Sequence, residues 1–122
     1  MQGRYAMMMD WAEYREQIKA ALKEMSAANP AVFKAYGAMH MANAASTRLD
    51  ARTRELIALA VSVTLRCDGC INAHTDAAIK AGVSKEDIVD ALGVAMMVNA
   101  GATMVYSART IDAYDAKTAP KG

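Results

Sequence analysis

Apolar residues along the chain recur at spacings of three and four, and nothing reads as a run of alternating β-branched residues, so an all-α protein is predicted. Trp11, Tyr14, Ile18, Ala21, Leu22 and Met25 share one helical stripe, and Asp10 stands in front of them as a short acceptor suited to capping. The first helix should therefore run from Trp11 to the Asn29-Pro30 pair. Proline is accommodated at a helix start, so Pro30 opens a second helix through Val32, Phe33, Tyr36 and Met39, fading near Ser46 and Thr47. Asp50 caps a third, Ala51 to about Leu65, with Leu56, Leu59, Ala60 and Val63 on one face. After a short break near Arg66, a fourth takes Cys70 to Lys80 and ends at Gly82, a residue suited to a left-handed C-terminus. Ser84, with Asp87 three residues on, resembles a capping box and opens a fifth helix to about Asn99. A sixth is expected from Gly101 to Tyr114, with a kink at residues 99–101 as the alternative to a break. The tail from Lys117 to Gly122 is expected to fray.

Length and composition narrow this picture. A chain of 122 residues fits one domain, residues 1–122, and can bury a core without disulfide or metal staples. It is 54% hydrophobic, much of the excess being alanine, which favours helices and their close approach. Fourteen Lys and Arg against thirteen Asp and Glu leave a net charge of +1, with no basic cluster to hold nucleic acid or an anionic membrane. The first ten residues lack the apolar core of a leader, so a cytoplasmic protein is expected. Ala91 to Ala108 carries no charge and approaches the length of a membrane span. It also contains Gly93, Asn99, Gly101, Thr103 and Ser107, which are costly facing lipid, so a buried core or subunit-interface helix is expected there instead.

Both cysteines lie together, in Cys67-Asp68-Gly69-Cys70, and His74 follows four residues later. On a helix, positions 67, 70 and 74 project from one face. A thiolate at a helix start is stabilised by free N–H groups, and a nearby imidazole can accept its proton, which makes a reactive dithiol. Glu55 lies about as far before the turn at Arg66 as His74 lies after it, so antiparallel helices bring carboxylate and imidazole to similar heights. Such a carboxylate orients the imidazole and raises its basicity. Helix-start logic makes Cys67 the more acidic sulfur, whereas proximity to His74 favours Cys70 as the attacking one.

Glu55, eleven residues, Cys67-x-x-Cys70, three residues and His74 together resemble the AhpD-like branch of the carboxymuconolactone decarboxylase superfamily, over roughly Asp50 to Tyr114. The resemblance implies an all-helical fold assembled into trimers or hexamers. It also implies an alkylhydroperoxidase whose catalytic residues are Cys67, Cys70, His74 and Glu55. No resident cofactor is implied: the dithiol reduces an organic hydroperoxide, and a lipoylated partner or another external dithiol reduces the resulting disulfide. Some members place a histidine between the cysteines. Asp68-Gly69 stands there in this chain, so that relay member does not carry over, and peroxidase efficiency is the property it bears on.

Rival readings have their own signatures. A closed zinc site would require Cys67, Cys70, His74 and His40 to converge, although His40 sits on a separate helix and reads as structural. Two buried, inert cysteines are the plain alternative. A carboxymuconolactone decarboxylase-like lyase would need only acid–base residues, and a redox-sensing oligomeric adaptor would form the disulfide without turnover. The methionines, including Met7-Met8-Met9 and Met96-Met97, read as core filler or, at the start, as an artefact of the start site, and Arg48, Arg52 and Arg54 as a solvated face.

Overall fold

The structure, a computed structural model, describes residues 7–121. All secondary structure among them is helical: α1 Trp11–Ala28, α2 Pro30–Ala44, α3 Ala51–Leu65, α4 Asp68–Lys80 and α5 Lys85–Thr118. The reading of the chain start falls mostly on residues 1–6, which lie outside the described residues, as does Gly122.

Three helices begin as their capping residues dictate. The Asp10 carboxylate accepts the Glu13 amide, Asp50 that of Thr53 at 2.8 Å, and the Ser84 hydroxyl oxygen that of Asp87 at 3.0 Å. Each contact satisfies one of the amides that a helix start leaves unpaired. Pro30 occupies the first turn of α2.

Helices α3 and α4 form a hairpin, and the start of α5 lies against α3. Leu59 of α3, Ala78 of α4 and Val83 of the following turn form the buried centre, with Leu56, Ala81 and Ile88 packed around it. Both hairpin helices end on a left-handed residue. After α4 this is Gly82, φ 79°, and after α3 it is Arg66, φ 54°, the one non-glycine with positive φ among the described residues. A side chain in that conformation costs about 1–2 kcal/mol. The reversal at Arg66 lets the Cys67 amide reach back to the Ser62 carbonyl at 3.1 Å, closing α3.

Several expectations are corrected. Among the described residues there are five helices, not six, because α5 runs unbroken through residues 99–101. Asn99 turns its amide back to the Ala95 carbonyl at 2.7 Å, and Thr103 and Ser107 donate to the carbonyls four residues before them, so none of these polar groups competes with the helix. The helix continues to Thr118, through the start of the tail expected to fray, while α2 stops at Ala44, short of Ser46. Helix α4 begins at Asp68 instead of Cys70.

The uncharged stretch Ala91–Ala108 is not hidden within this chain. Ala95 is its one buried residue, and Met96, Met97, Met104 and Val105 are exposed, so the methionine pair is not core filler of this fold. By length and composition alone, α5 could cross a membrane. Nor are two of the arginines merely solvated. Arg52 donates to the Gly82 carbonyl at 3.0 Å and pairs with Asp87 at 3.1 Å, tying α3 to the α4–α5 turn. Arg54 donates to carbonyls of Asn43, Ala44, Ser46 and Leu49, satisfying the end of α2 and the loop after it.

Candidate active site

The sharp turn at Arg66 decides where the cysteines stand. With α3 closed there, Cys67 becomes the cap of α4, its φ and ψ extended and its sulfur accepting the Cys70 amide at 3.1 Å. The two cysteines are joined in a disulfide across a Cα separation of 5.2 Å. Both are half-buried.

One turn further along α4, His74 meets Glu55 of α3, with 2.8 Å between Nδ1 and Oε1. A carboxylate can only accept, so Nδ1 carries the proton and Nε2 of a neutral imidazole is the free acceptor. The Glu55 side chain is 20% exposed and that of His74 37%, which keeps the pair out of bulk water without sealing it in. The structure thus joins Cys67 with Cys70 and Glu55 with His74, all on the α3–α4 hairpin. His40 is exposed on α2, outside the hairpin.

A cleft of about 640 Å3 opens over the disulfide. Its floor is the first two turns of α4, with Cys67, Cys70 and Asn72. Its walls are Tyr14, Ile18 and Leu22 of α1 and Tyr36 of α2. Glu55 and His74 do not line it, so the imidazole is placed relative to the sulfurs through helix spacing and not across the cleft. The α1 wall is missing from the sequence reading. Its signal was the apolar stripe of α1, which had no assigned partner in sequence. What seats it is the largely buried Asn72, whose Nδ2 donates to the Trp11 carbonyl at 2.7 Å, reinforced by an ion pair between Arg15 and Asp76.

Comparison with known proteins places these observations in a group. The model of the carboxymuconolactone decarboxylase family matches residues 30–113, which include both helices of the hairpin. An uncharacterized protein of Haemophilus influenzae is 44% identical over 113 residues, covering 93% of this chain and all of that protein. The crystal structure of a carboxymuconolactone decarboxylase family protein from Legionella pneumophila is similar with a TM-score of 0.68 and 26% identity, over 86% of this chain and 94% of that one. An alkyl hydroperoxide reductase AhpD of Anaeromyxobacter is 29% identical over 79 residues, covering 65% of this chain and 41% of that protein.

Proposed function

The chain belongs to the carboxymuconolactone decarboxylase family, and from that premise we propose that it is a dithiol peroxidase of the AhpD kind, reducing organic hydroperoxides through Cys67 and Cys70. The observation that carries this reading is a disulfide-bonded cysteine pair at the start of α4 with a hydrogen-bonded Glu55–His74 pair one turn away.

In the reduced protein, His74 Nε2 takes the Cys70 proton while Glu55 holds the other face of the ring. The Cys70 thiolate attacks the distal peroxide oxygen. A sulfur–oxygen bond forms, the O–O bond breaks, and the departing alkoxide takes the proton back from His74 to leave as an alcohol. Cys67 then attacks the sulfenic sulfur, the disulfide forms, and hydroxide leaves with the Cys67 proton as water. An external dithiol or lipoylated partner supplies the two electrons that reopen the disulfide through a mixed disulfide. A cytoplasmic setting suits such a cycle, because that compartment keeps thiols reduced.

Assembly with further copies belongs to the same proposal. The chain exposes 9960 Å2, against about 6,300 Å2 for a compact monomer of 13.0 kDa. The difference is several times the ~800 Å2 that each partner gives to an ordinary interface.

One observation favours a second reading. The Glu55–His74 pair does not line the sulfur cleft, and an acid–base pair alone is what a decarboxylating lyase would use. Counting free thiols after one equivalent of cumene hydroperoxide tests both. Rapid loss of both thiols is expected, slowed on the order of a hundredfold in Glu55→Gln and His74→Ala. Thiols that persist, or vanish equally fast in all three proteins, sink the peroxidase. Turnover of a carboxymuconolactone that survives double Cys→Ser substitution would establish the lyase.

A further inference from the structure

We propose that the cleft over Cys67 and Cys70 selects an amphipathic carboxylate, in the peroxidase reading on which this step rests a hydroperoxide with an apolar body and an anionic head, and that Arg66 is its specificity-determining residue. The apolar half of the argument is the wall of Ile18, Leu22 and Tyr36, with Leu22 and Tyr36 leaving much of their surface uncovered. A volume of about 640 Å3 lies in the range of sites that take ligands far larger than a short alkyl peroxide.

The polar half comes from charge. Arg15, Lys19 and Arg66 line the cleft, and Asp68 is the one acid among the lining residues. Asp68 sits in the first turn of α4, where the helix's own amides favour a carboxylate. Arg15 is held by Asp76, and Lys19 lies 3.5 Å from Glu16. Arg66 forms no salt bridge among the described residues. Arg66 stands at the edge between this cleft and a second one bounded by Val63 and Met96, and of the three cations it is the one without a carboxylate partner; its planar fork suits a ligand carboxylate better than a single point charge does.

Backbone geometry supplies the independent observation. The ends of α3 and α4 make the same left-handed turn, yet α4 uses Gly82 and α3 uses Arg66. A side chain is disfavoured at such a position, and residues kept there against that preference gather at functional sites. At the end of α3 the retained side chain is a long cation bordering the dithiol cleft.

This makes Arg66→Gly an unusually clean variant, since glycine suits the backbone and only the guanidinium is lost; its far-UV spectrum and melting temperature should match or exceed those of the parent. Two measurements on the full-length protein test the proposal. Calorimetric titration of the oxidised form should show decanoate binding that weakens about tenfold in Arg66→Gly and with added salt. In steady-state turnover, the ratio of kcat/KM for linoleic acid hydroperoxide over its methyl ester should be about tenfold in the parent and fall towards one in Arg66→Gly. Equal use of acid and ester by the parent, or a ratio and a decanoate affinity both untouched by the substitution, overturns the proposal. Decanoate held through Arg66 by a protein that consumes no hydroperoxide would uphold the anionic cleft and remove the peroxidase reading instead.

Discussion

The α3–α4 hairpin with the start of α5 and the two outlying pieces, α2 and the second half of α5, are built from similar residues and put them to opposite use. Leu59, Ala78, Val83 and Ala95, the buried apolar residues, all belong to the first region. Met39 and Met41 on α2, and Met104, Val105, Tyr106 and Ile111 on α5, are just as apolar and lie exposed. Apolar surface drives burial wherever it finds a partner. The hairpin finds one on its inner face, which holds Glu55 against His74, although Ile57, Val61, Leu65 and Ile79 on its outer face lie exposed too; the outlying helices have no such inner face, and their apolar surface is left uncovered by this chain.

The largest effect should come from damaging the packed region. Leu59→Ala removes a side chain that is 3% exposed, and should cost about 2–5 kcal/mol, read as a lower urea midpoint. A loss as small as that of an exposed site would mean that the hairpin is not the stabilising unit. Next comes the outlying region, where Met104→Glu combined with Val105→Glu should leave helix content intact and move sedimentation to a 13.0 kDa species at micromolar concentration. An unchanged assembly, or a monomeric parent, would show that the exposed half of α5 is not an interface.

The smallest effect lies at the edge of the hairpin. The Thr53 amide holds the Asp50 carboxyl below its usual range, with Arg52 and Arg54 adding to the shift. A lowered folded-state pKa means stability that is present above the unfolded value and lost as pH falls through the folded one. The melting temperature of Asp50→Ala should therefore trail the parent slightly at neutral pH, and the gap should narrow in acid. A gap that widens on acidification would show that the cap is not held by its charge.

What could be read without coordinates follows the same division. Asp10, Asp50 and Ser84 marked their helices because a short acceptor before an apolar stripe has one obvious use. Glu55 and His74 could be paired because both lie on one hairpin, where residue counting becomes distance. The reading ran out where a residue's partner is distant or its role is ambiguous. Asn99 and Gly101 suggested a break, but the Asn99 amide is satisfied four residues back, so the helix continues. Nothing in the sequence marks Cys67 as the cap of α4, because sulfur is an uncommon acceptor for that position. Arg54 reads as one more solvated cation, yet its carbonyl partners lie at the end of α2 and in the loop after it, where no pattern announces them.

The disulfide spans three residues of sequence. A loop that short removes little freedom from an unfolded chain, on the order of 2 kcal/mol, and the gain grows only with longer loops. Opening and closing it should therefore shift the denaturation midpoint far less than a staple between distant segments would. In the proposed cycle, the durability of the fold would then depend only weakly on whether the two sulfurs are joined.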